Sequence, residues 1–184
     1  MDLRKFSDGK LLLCALASAA AVDTAGLFVW RYTADRDGPI NTWYDKFGVI
    51  AYVLDVSSMV IGFVLAQLIA SLVGGQFNLL FFLFVVVAVQ MAHDIIFGLF
   101  IVPLVPEGEN DIMDLMKSYT TMKGSQWVLV VDALYMIFTV IGAMVLYRLP
   151  PYITWFKLLV VTYVTGYILT THRLPASRIP TPLK

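Results

Sequence analysis

The chain has 184 residues, of which 59% are hydrophobic and 14% charged, and its formal net charge is zero. A soluble domain carries about a quarter charged residues, so this composition excludes an ordinary water-facing globule. There is no basic patch of the kind that nucleic acid requires. The single cysteine, Cys14, excludes an intrachain disulfide framework.

Charges fall in short clusters, and the runs between them are long enough to cross a bilayer core ~30 Å thick. The fold class expected is an all-α polytopic membrane bundle with about five transmembrane helices and one short amphipathic surface helix, forming a single membrane domain over 1–184. The first helix is expected at about 11–30. Its basic lead (Arg4, Lys5, Lys10) and alanine-rich run resemble a signal peptide, but the run exceeds a typical h-region, so a retained helix is expected. The second covers about 47–73, and the GGQFN turn at 74–78 folds it back onto a third at about 79–104, ended by Pro103 and Pro106. The fourth, about 126–147, and the fifth, about 152–171, are separated by Pro150 and Pro151.

Two connections are longer. The stretch 31–46 mixes both signs of charge with Trp43 and Tyr44 and is expected as a loop at headgroup level. The other contains a helix at about 111–123: Asn110 as N-cap, Asp111 and Asp114 in the first turn, Lys123 and Gly124 closing it. Ile112, Leu115, Met116 and Tyr119 recur at i, i+3, i+4 and i+7, one apolar stripe suited to a membrane surface. The tail 172–184 is expected to be flexible, with Arg173 and Arg178 able to touch headgroups or an adjacent protein. The positive-inside rule favours a cytoplasmic C-terminus only weakly, because the N-terminus is basic as well.

Each of the first four helices carries an aspartate in its apolar run: Asp23, Asp55, Asp94 and Asp132. Measured from the membrane face where the first helix ends, at ~1.5 Å per residue, all four lie at depths of ~9–13 Å. Gln90, His93, Asp94 and Phe97 share one side of the third helix. Asp132, Tyr135, Thr139 and Gly142 share one on the fourth, and Asp55, Ser58 and Gly62 one on the second. Ala15, Ala19, Asp23 and Gly26 form a small-residue face on the first, which lets helices approach closely. A shared polar layer of Asp23, Asp55, Gln90, His93, Asp94, Asp132 and Tyr135 is therefore expected, either fixing helix register by hydrogen bonds or passing protons or a cation. Zinc sites use two or three His or Cys ligands, and only His93 and His172 are present. With no nucleophile elbow either, no catalytic residue, metal or cofactor is expected.

NTWYDKFG at 41–48, AYVLDV, QMAHDIIF and the PEGEN–MDLMKSY stretch resemble a set of small multi-span membrane proteins encoded by large DNA viruses of algae and protists. The resemblance covers about 41–135 and carries no catalytic residue, since that group has no agreed activity. What it implies is a virus with an internal membrane beneath its capsid. The function expected is a structural subunit that docks through Trp43, Tyr44, Leu115, Met116, Tyr119, Arg173 and Arg178, with a small cation or proton channel as the alternative. The partners expected are the lipid bilayer, other membrane or capsid proteins and further copies of the chain.

Overall fold

The computed structural model describes residues 1–5, 7–33, 38–122 and 124–171. The expected tail, with Arg173 and Arg178, lies outside them, as does Lys123. In chain order the helices are α1 (Gly9–Thr33), α2 (Pro39–Phe47), α3 (Val49–Val73), α4 (Leu79–Ile96), α5 (Val102–Leu104), α6 (Asp111–Thr121), α7 (Gln126–Tyr147) and α8 (Pro151–Leu169). No strand occurs among the described residues.

Local chemistry accounts for the boundaries. Asp8 caps α1, its Oδ1 accepting from the amides of Lys10 and Leu11 at 3.0 and 3.1 Å. Asn78 does the same for α4, and Asn110 for α6, as its sequence suggests. Gly74 and Gly75, with φ of 72° and 77°, make the reversal between α3 and α4 that a side chain would strain. Pro39 and Pro151 open α2 and α8, where the missing N–H costs nothing. Between α4 and α5 the helix widens into a π-turn at Phe97–Ile101. Pro103 would otherwise press its ring on the carbonyl of Leu99, and one wide turn relieves that without breaking the rod.

Five helices are long and apolar enough to cross a membrane: α1, α3, α4 with its continuation to Leu104, α7 and α8. This is the make-up of a multi-pass membrane protein. An odd number of crossings puts the start of α1 and the end of α8 at opposite faces. The face where α1 ends also carries α2 and α6, and is called the capped face below.

The central helix is α1, with α7, α8 and α3 around it. Its alanines at 15, 17, 19 and 20 are all buried. Without a hydrophobic drive in lipid, such close contact must come from shape. Gly26 admits the Tyr135 ring, and Gly142 admits Ser18. Hydroxyls add direct links between α1 and α8, with Thr24 and Thr165 oxygens 2.6 Å apart. Across α3 and α4, Phe63 and Phe82 meet edge to face at 5.7 Å. Although α7 and α8 are joined by a short turn, both pack on α1 and barely touch each other.

One end of α1 offers a pH test. The Tyr147 hydroxyl donates to Asp8 Oδ2 at 2.7 Å. That bond, opposed by partial burial and helped by the two helix amides, holds the Asp8 carboxyl below its usual range. A lowered native pKa means stability that is complete above the ordinary value near ~3.9 and is lost as pH falls through the lowered one. Asp8→Ala is therefore expected to cost about 1 kcal/mol at neutral pH. Thermal melts of the two proteins should converge on acidification, and parallel curves would refute the assignment.

Candidate functional site

Asp23, Asp55 and Asp132 lie within electrostatic range of one another, and Asp94 within range of Asp132. Asp23 is 2% exposed. Asp132 is also within range of His93. The helices bring them together because each acid lies on the face its helix turns inward and because the α3–α4 and α7–α1 contacts fix the registers.

The unexpected part is a lid. The stretch expected as a headgroup-level loop instead holds α2, which buries Asn41, Trp43 and Tyr44. Trp43 Nε1 donates to Asp55 Oδ2 at 2.9 Å, and the Tyr44 hydroxyl donates to the same oxygen at 3.0 Å. The Tyr44 oxygen also lies 3.5 Å from Asp23 Oδ1, so one phenol bridges two acids from different helices. Burial, then the neighbouring Asp23 and Asp55, pushes the Tyr44 phenol well above its ordinary range, and it stays a donor. Trp43 and Tyr44 are thus used inside the molecule, a correction to their expected place on a docking surface. The signal was present: Ile40, Trp43, Tyr44 and Phe47 recur at i, i+3, i+4 and i+7 behind a proline.

The lid is latched by Arg31, a buried residue in the last turn of α1. Its guanidinium donates to Asp45 at 2.6 Å, to Asn41 at 3.3 Å and to the Leu169 carbonyl at 3.0 Å. It therefore joins α1, α2 and the C-terminal end of α8, where a cation complements the helix dipole.

On α4, Gln90 Nε2 donates to Asp94 Oδ1 at 2.8 Å, and His93 Nδ1 lies 3.0 Å from the same oxygen. Gln90 is buried, whereas the His93 side chain is 50% exposed and stacks on Phe97. His93 thus stands at the rim of the layer. Tyr135 accepts from Trp30 Nε1 at 3.2 Å.

The amphipathic helix α6 closes the same face. Ile112, Leu115 and Met116 are partly buried and packed against the core. Tyr119 is also half-buried. Burial, with Asp132, Asp55 and Tyr135 nearby, raises its phenol above the ordinary range. The stripe read from the sequence therefore faces this bundle. Among the described residues, two buried carboxyl oxygens, Asp23 Oδ2 and Asp94 Oδ2, have no hydrogen-bond partner, nor has the Thr139 hydroxyl one turn beyond Tyr135. Among the described residues no three His, Cys, Asp or Glu side chains are placed to ligate one metal ion. No family model, no curated protein and no solved structure matches this chain.

Proposed function

We propose that the chain is a small proton-handling membrane protein, a channel or proton-coupled transporter whose working centre is the capped acid layer. One observation carries this reading: Asp23, Asp55 and Asp132 lie within electrostatic range of one another and Asp94 within range of Asp132, none of the four has a Lys or Arg ion pair among the described residues, and two of their oxygens are buried with no described partner. Several buried negative charges with no cation would be prohibitively costly. A purely architectural layer would need only amides and hydroxyls.

The Asp23–Tyr44–Asp55 bridge supplies a relay. A proton on Asp23 passes to the Tyr44 oxygen as the Tyr44 proton passes to Asp55. Asp23 becomes the carboxylate, Asp55 the acid, and the phenol is regenerated. His93, at the rim beside Asp94, exchanges protons with the outside. Toward the face away from the lid, Phe63, Phe82, Met136 and Val140 are fully buried, so passage there requires a second conformation.

The test is proton uptake into vesicles containing the full chain under a pH gradient. Wild type is expected to dissipate the gradient, and Asp23→Asn and Asp94→Asn to behave as empty vesicles while melting like wild type. Wild-type vesicles no leakier than empty ones would sink the reading. A second reading, the structural subunit of a viral internal membrane or similar assembly, draws support from Asp55, whose two donors rivet α2 to α3. It predicts stoichiometric recovery with assembly proteins after mild detergent extraction, and no flux.

A further inference from the structure

A separate feature lies on the outer side of α1. Because α7 and α8 diverge from their connecting turn, a groove of about 530 Å³ opens between them with α1 as its floor. That is within the ~300–1,000 Å³ typical of ligand sites. Ser18, Ala25 and Gly26 line the floor, Trp30 closes one end and Phe138 belongs to the α7 wall. The lining is mostly apolar, and its one charged residue is Lys157 of α8.

Lys157 is hard to account for as packing. It is half-buried within a membrane-length helix, six residues past Pro151, or ~9 Å along the axis. No described carboxylate pairs with it. A lysine at that depth can reach the nearer membrane face with its long stem. That face is the one opposite the lid, where Arg148, exposed at the α7–α8 turn, adds a second cation without a described ion pair. From the Ser18 level to Trp30 the floor runs twelve residues, ~18 Å, along the membrane normal.

We propose that this groove holds one acyl chain of an anionic phospholipid, whose phosphate sits on Lys157 and Arg148 at the face away from the lid. Shape and charge agree on the occupant. The groove is elongated, apolar and open to the bilayer along its length, and its one charge is positive and lies toward the end where a headgroup would be. The bilayer itself is the reservoir. Chain and headgroup together bury the groove and neutralise Lys157, which no described residue does.

Native mass spectrometry of the full chain, delipidated and titrated with phosphatidylglycerol or phosphatidylcholine of matched chains, tests this. Wild type is expected to retain one phosphatidylglycerol about five- to thirtyfold better than phosphatidylcholine, the scale of one or two interfacial cations. Lys157→Gln should lose that preference and Lys157→Arg keep it. Ala25→Phe, which fills the groove from an exposed floor position, should weaken both lipids alike. Melting curves of the variants identify any that misfold, and Lys157→Arg provides the folded control. Equal retention of the two lipids by wild type, or an unchanged preference in Lys157→Gln, would overturn the proposal. So would a dimer that lipid does not dissociate, since a second copy would then occupy the groove.

Discussion

Replacing Arg31 with methionine is expected to destabilise the protein by roughly 2–4 kcal/mol and to loosen α2 against α1 and α8. Methionine keeps most of the stem that fills the buried site but removes three charge-assisted bonds, to Asp45, Asn41 and the Leu169 carbonyl. The effect should be local before it is global. The Asp55 bonds to Trp43 and Tyr44 remain, so α2 loses its ionic anchor to α1 and α8 while keeping its anchor to α3. Hydrogen exchange at residues 39–47 should therefore accelerate well before exchange in α1 or α7. Unchanged protection there would mean that Arg31 does not hold α2 and that the latch lies elsewhere.

The second large effect is expected at Gly26. A Cβ built there overlaps the Tyr135 hydroxyl and ring. Gly26→Ala must push Tyr135 aside, breaking its bond to Trp30 and parting α1 from α7 at the level of the acids. Overpacking of this kind costs about 1–3 kcal/mol, against which alanine regains about 1 kcal/mol in helix propensity. Coupling makes the prediction specific. In a Tyr135→Ala background the same substitution should be neutral or stabilising, because the ring that clashes is gone. A double-mutant cycle followed by thermal melting measures this, and additive effects would exclude the contact.

How much of this was legible beforehand depends on the kind of signal. The five spans and the amphipathic helix follow from long-period apolarity and are found within a few residues of their expected limits. The acid layer was legible too, because depth along an antiparallel path can be counted. Which acids share a hydrogen-bonding partner could not be counted, since helix order around a bundle is not encoded in depth. The lid was missed for a different reason. In 31–46 the polar residues Asp37, Asn41, Asp45 and Lys46 suggested a solvated loop, and Trp43 with Tyr44 fitted a headgroup layer equally well. The nine-residue α2 is too short for propensity to identify, and its stability comes from what it covers. The π-turn was likewise invisible, because Pro103 signals a disturbance without saying how the backbone absorbs it.

The central place of α1 has a consequence for how the protein is made. Its partners come late: the Thr24–Thr165 contact spans 141 residues, which is about 7–28 s of synthesis at ~5–20 residues per second. Throughout that interval the helix already carries Asp23 and a surface of alanines that offers lipid little to hold. The order of translation thus leaves the innermost helix waiting for α7 and α8, with only α2 and α3 to cover it in the meantime. Such a segment calls for a holding partner at the membrane insertion site, and chains stalled before α7 should be recovered bound to the insertion machinery rather than free in the bilayer.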